Sequence, residues 1–155
     1  MGFFTSLDIS GSGLTAEQTR MDTIADNIAN VNTTQTPQGG PYQREEAVFM
    51  PLSHQTALGE PPTPPTPTPF GTTVQPTSNG VLVSSIAVDK SAGRLVYDPT
   101  SAQANAQGYV TYPNVNLVTE VSDMMGATRA YQANVTALNA TKTMATKALE
   151  IGQHG

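Results

Sequence analysis

Few side chains in this chain have the type and spacing that chemistry requires. His54 and His154 are the only histidines, one beside a proline-rich stretch and one at the C-terminus. No H-x-x-x-H, H-x-E or Cys/His spacing accompanies them, and the chain has no cysteine. The usual ligand sets for structural or catalytic metals are therefore missing, and no metal or other cofactor is expected. Glu45-Glu46 is the one adjacent acidic pair, while Asp22 and Asp26 lie one helical turn apart. Glycoside hydrolysis uses two carboxylates flanking one bond. Adjacent strand residues point to opposite faces, and no aromatic run marks a sugar cleft, so these acids read as solvated charge. Ser and Thr are plentiful without a G-x-S-x-G or S-x-x-K context. Gly11-Ser12-Gly13 lacks the preceding strand of a phosphate loop. Met1-Gly2-Phe3-Phe4-Thr5-Ser6 fits the acylation pattern formally, but the pattern fixes only two of six positions and the segment is needed for packing. Met21, Met124, Met125 and Met144 fall on or beside helical stripes, where methionine fills gaps. No catalytic, cofactor-binding or metal-ligating residue emerges.

The elements around these residues are more telling. Hydrophobic residues make up 37% of the 155-residue chain and aromatics 6%, with no Trp, so any core is thin. Charged residues are only 12%, against the usual quarter, and the surface is built from Thr, Ser, Asn and Gln. Such a surface tolerates the close approach of like subunits, because there is little self-repulsion to overcome. The net charge of −5 and the scattering of seven basic residues exclude a phosphate-tracking stripe, so nucleic acid is not an expected partner. Nor is a small-molecule substrate. No apolar run approaches the roughly 20 residues that cross a bilayer, and the N-terminus has neither the basic region nor the apolar run of a cleaved secretory signal.

Helical spacing marks both ends of the chain. Leu7, Leu14, Met21 and Ile28 recur every seventh residue, with Ile24 and Val31 in the intermediate positions. Gly11 and Gly13 each weaken a helix by about 1 kcal/mol relative to Ala, so the spacing predicts a helix from Leu14 to Val31, with residues 3–12 helical only when packed. At the other end Leu117, Val121, Met124, Thr128, Tyr131, Val135, Leu138, Lys142, Ala145 and Leu149 step by four and three. Asn114 or Asn116 is placed to cap this helix, Glu120 and Asp123 to meet its positive end, and Gly152 to stop it. The heptad period predicts left-handed coiled-coil packing. Asn27, Asn30, Asn134 and Asn139 lie on or near the seams, where amides can set register.

The middle is different. Strands are predicted over Tyr42–Met50, in GVLVSSIAV after a type I′ turn at Asn79-Gly80, in RLVY and in Tyr109–Tyr112, with turns at 90–93 and 98–108. Pro76 limits the strand before that turn to an edge, and the proline-dense 60–70 is extended. The expected fold is α+β: 1–35 and 114–155 form one helical domain and 36–113 a small antiparallel β insert. One two-helix seam is too thin to stand alone, so further faces should be buried by other copies and the free monomer should have frayed ends.

Three segments carry a family resemblance. SGLTAEQTRMDTIADNIANVNTT, from Ser12 to Thr34, resembles the N-terminal motif of the bacterial flagellar rod and hook axial proteins. Tyr112 to Gly152, YPNVNLVTEVSDMMGATRAYQANVTALNATKTMATKALEIG, and TPQGGPYQREEAVF, Thr36 to Phe49, are similar to flagellar basal-body rod subunits. The resemblance implies a proximal-rod subunit, part of a drive shaft and export conduit in the periplasm, exported by the flagellar type III system. It also implies paired terminal helices lining a tube, with the insert outside. Implied partners are other copies, other rod proteins, the membrane-embedded base (MS) ring and the export apparatus. Asp26 stands where the family motif has Asn, and the proline run 60–70 lies outside the shared motifs. Readings of other classes are a soluble export adaptor, which never joins the structure, and an enzyme acting on the cell wall.

Overall fold

The computed structural model describes residues 3–53 and 78–153. His54, His154, Met1-Gly2, Pro76 and the proline run 60–70 lie outside the described residues. The order is α1 (Phe3–Ala29), β1 (Glu45–Ser53), β2 (Ser78–Val88), β3 (Arg94–Tyr97), β4 (Tyr109–Tyr112) and α2 (Leu117–Gln153). This is the expected α+β arrangement, with helices at both ends and antiparallel strand pairs between them.

Helix α1 is continuous through Gly11 and Gly13, which corrects the expectation that it begins at Leu14. Gly13 is packed against Asn134 of α2. Ser12, Thr15, Thr19 and Thr23 return their hydroxyls to carbonyls three or four residues back, so a polar sequence is satisfied within the helix. The helix ends at Ala29 rather than Val31, because Asn30 closes it. Its amide donates to Asp26 O at 2.9 Å and its Oδ1 accepts from the Thr33 hydroxyl at 3.1 Å. The Asp26 side chain itself faces solvent.

The strands form two separate antiparallel pairs, β1–β2 and β3–β4. Register in the first runs from Glu45↔Val88 to Ser53↔Ser78, with a bulge at Val48/Phe49. In the second it runs from Arg94↔Tyr112 to Tyr97↔Tyr109. The strand β1 starts at Glu45 and not at Tyr42, because the preceding backbone is engaged elsewhere: Tyr42 N donates to Thr33 O, and Arg44 N to Asn114 Oδ1. Asn79-Gly80 is not a hairpin turn. It lies inside β2, where Gly80 has φ of 132° and a Cβ there would collide with the Ser12 hydroxyl. Glycine is required for strand-to-helix contact: the adjacent Val81 N–H donates to Ser12 Oγ at 3.2 Å. The sheet lies along α1, with the Arg20 guanidinium 6.0 Å from the Phe49 ring centroid.

The helices pair antiparallel, with Gly13 against Asn134, Met21 against Thr128 and Asn27 against Glu120. The 37-residue α2 outruns the 27-residue α1. Ten residues before Gly13 the described α1 begins, while ten residues beyond Asn134 α2 still has more than two turns to run. It runs through Gly152 to Gln153, the last described residue, so it does not stop at Gly152 as expected. Fully buried apolar side chains among the described residues are few: Ala16, Ile24, Val110 and Ala127.

The covered line on α2 runs through the buried Glu120 and Ala127 and the half-buried Asn134 and Thr141, beside the half-buried Met124, Tyr131, Leu138 and Ala145. The line Val121–Thr128–Val135–Lys142–Leu149 lies to one side of it. A heptad stripe on a straight helix drifts about 20° per repeat. Leu117 and Val121 are thus exposed at the start of α2, while Leu138 and Ala145 are half-buried.

The two helix glycines should separate in stability measurements. Nothing lies within 4 Å of a Cβ added at Gly11, whereas one at Gly13 would sit 2.8 Å from Asn134 Nδ2. Gly11→Ala is expected to raise stability by about 1 kcal/mol in thermal or urea unfolding. Gly13→Ala should show no such gain, because Asn134 must be displaced.

Candidate functional site

The densest side-chain chemistry lies where the end of α1, the start of β1 and the start of α2 meet. Asn27 is 1% exposed and Glu120 is 0% exposed, and they are the largest fully buried side chains. A buried amide needs both its donors and its acceptor satisfied. Asn27 Nδ2 donates to Glu45 O at 2.8 Å and to Glu120 Oε2 at 3.0 Å. Its Oδ1 accepts from Glu45 N at 2.8 Å and from the Tyr42 hydroxyl at 3.0 Å. One helix side chain thus mimics a strand neighbour for Glu45 and ties α1 to β1.

Glu120 completes the link to α2. Its Oε1 accepts from Arg44 Nε at 2.6 Å, a charge-assisted bond of the short kind. The same guanidinium reaches Glu46 at 3.3 Å and Asp123 at 3.7 Å. The Arg44 pKa is pushed up, chiefly by the hydrogen bond to Glu120, against an opposing effect of burial. Burial, then the nearby Glu45, Asp26 and Glu120 carboxylates, lift the Tyr42 phenol from 10.0 to about 12. Asn114 joins the far side: its Oδ1 accepts from Arg44 N, and its amide donates to Asp89 O and Ser91 Oγ, each at 2.9 Å. Hydrogen bonds from Ser91 hold the Asp89 carboxyl below its usual range. At the other end of the β3–β4 hairpin, the Gln103 amide donates to Gln35 at 3.0 Å and Thr34 donates to Gln103.

The predicted seam residues separate into three groups. Ile24 and Asn27 are buried; Leu14, Met21, Ile28, Val31, Met124, Tyr131, Val135, Leu138 and Ala145 are half-buried; Leu117, Val121 and Leu149 are exposed. Among the four amides, Asn27 is the hub, Asn134 abuts Gly13, Asn30 caps α1 and Asn139 faces solvent. The α2 cap is Asn116, whose Oδ1 accepts from Val118 N at 3.0 Å, which frees Asn114 for its bridging role.

Sequence reasoning missed Glu120, Arg44, Tyr42 and Asn114. Glu120 read as a surface partner of the helix dipole. The available signal was its position: seven residues before Ala127 and fourteen before Asn134, on the line that faces α1. A cleft of ≈ 190 Å³ borders the cluster, lined in part by Arg20, Arg44, Glu46, Phe49 and Asp123. Its Arg44 cation is already paired within the chain, so the cluster's geometry holds elements together.

Comparison with known proteins decides the lineage. Residues 7–35 match the family described as flagella basal body rod protein, and residues 106–151 match the flagellar basal body rod FlgEFG protein C-terminal family. The chain is 42% identical to the flagellar basal-body rod protein FlgC of Borreliella burgdorferi, over 99% of each chain. It is 43% identical to FlgC of Bacillus subtilis, over 99% of this chain and all of that one, and 35% identical to FlgC of Escherichia coli O157:H7 with the same coverage. The chain belongs to the FlgC family. FlgC proteins are structural proteins of the rod, and membership places this chain in the flagellar basal body. The two matched segments contain Asn27, Asn114 and Glu120. Tyr42 and Arg44, which join them, lie between the segments.

Two outcomes test the cluster. Arg44→Ala strands a buried carboxylate and should cost about 3–5 kcal/mol in urea unfolding. Tyr42 keeps its proton more tightly folded than unfolded, so its contribution is complete below pH 10 and is lost as pH rises through about 12. An ultraviolet tyrosinate titration of the folded chain should contain a phase near pH 12 that disappears in Tyr42→Phe.

Proposed function

We propose that this chain is a proximal-rod subunit that enters a helical tube through its paired terminal helices, transmitting torque and forming part of the wall of an export conduit. It acts without catalysis, reaches the periplasm through the flagellar type III system, and contacts other copies, other rod proteins and the base ring. On this reading the paired helices form one axial domain and the intervening segment lies outside it.

The observation that supports this reading is the uneven covering of α2. Its start leaves Leu117, Val118, Val121 and Met125 uncovered, and its end leaves Met144, Leu149 and Ile151 uncovered, with Val118 79% and Ile151 76% exposed. These residues sit in the same helix whose inner face is closed by α1. A helix with apolar groups all round belongs in the interior of something larger. The predicted seam residues Leu117, Val121 and Leu149 thus become contacts to neighbours rather than to α1. A cell-wall enzyme would need reactive groups at an open surface, whereas the buried carboxylate here is closed off by Arg44 and Asn27. No observation favours an export adaptor.

Val118→Asp separates folding from assembly. The site is exposed and lies in the first turn of α2, where an acid suits the helix dipole. Monomer stability should stay within about 0.5 kcal/mol of the parent, while the variant disappears from purified basal bodies. Parental levels of incorporation would show that this face makes no contact in the rod.

A further inference from the structure

Both helices carry seven-residue apolar stripes, and such stripes are degenerate. An antiparallel pair slid by one heptad would bury similar side chains. Ile24 and Ala127 are buried, but apolar contact is not directional. What distinguishes the observed pairing is polar. Asn27 makes all four of its hydrogen bonds, to two backbone atoms of Glu45, to Tyr42 and to Glu120. Glu120 is sealed from solvent and is held by Asn27 and Arg44. In a pair slipped by one heptad Glu120 would be buried opposite a different residue, without Asn27. An unpaired buried carboxylate is among the costliest defects a core can hold.

We propose that Asn27, Arg44 and Glu120 are register-setting residues, which force α1 and α2 to pair in one register and exclude the slipped alternatives. Arg44 and Glu45 follow α1 closely in the chain, so the lock closes only when the connecting segment folds back onto Asn27 and Glu120 arrives opposite it. Asn114, bonded to Arg44 N and to the 89–91 turn, adds a second tie that a slipped α2 would break. The inference rests on the geometry of one chain and stands whether or not the rod reading does.

The cysteine-free sequence allows a direct test by disulfide trapping. Met21→Cys with Thr128→Cys reports the observed register, and Met21→Cys with Val135→Cys reports a slip of one heptad. With the lock intact, the first pair should close and the second should not. In Asn27→Leu/Arg44→Met/Glu120→Leu the chain should still unfold cooperatively, while the slipped bond appears in amounts comparable to the native bond. A triple variant that forms only the 21–128 bond overturns the proposal. Should that variant fail to fold, Arg44→Gln/Glu120→Gln keeps the hydrogen-bonding shape without the charges. The slipped bond should then appear at a lower but measurable level, and its complete absence would count equally against the inference.

Discussion

A carboxylate with no exposure to water constrains everything around it. Glu120 is tolerable inside the protein because one oxygen meets a guanidinium and the other an amide. Those partners come from two other elements, so the carboxylate can be buried only when α1, β1 and α2 arrive together. The neighbouring groups are arranged around the same requirement. Asn27 spends its remaining bonding capacity on the backbone of Glu45 and on Tyr42, and Arg44 uses its backbone N–H on Asn114. A chain with so few fully buried apolar side chains would otherwise have little to fix the angle and offset of its two long helices.

The helices themselves were legible in the residues, because a seven-residue spacing over several turns is a strong signal and because Asn116 marks the start of α2. The face that each helix turns inward was less so. The drift of a heptad stripe on a straight helix carried Leu117 and Val121 away from α1, which the spacing alone does not reveal. Gly13 read as a weakness of the helix, yet it is where Asn134 packs. Gly80 carried a true backbone signal, a positive φ, for a different reason from the turn it suggested: Ser12 occupies the space that a side chain would need. Glu120 was hidden for a deeper reason. Burial of a charge depends on partners far away in the sequence, and no local pattern around residue 120 announces Arg44.

Two kinds of interaction thus divide the helical surface. Within the chain, the seam is small and polar: Gly13, Ala16, Thr23 and Asn27 on α1, and Glu120, Ala127 and Asn134 on α2. Small residues bring the backbones close, and directional bonds define one arrangement. Away from that seam, α2 presents Val118, Met125, Met144 and Ile151 to solvent. Apolar contact is non-directional and scales with area, so these residues suit contacts whose geometry is set by the arrangement of whole subunits.

That division gives the segment between the helices a role beyond decoration. The two segments that match flagellar rod families hold the helices, but Tyr42 and Arg44 lie outside both. Without Arg44 the family-matched Glu120 would lose its only cationic partner within hydrogen-bonding distance among the described residues. Apolar stripes alone would leave the two helices free to pair in more than one register. A lock whose middle member is carried on the connecting segment resolves that ambiguity, because Glu120 is satisfied only where Asn27 and Arg44 both reach it.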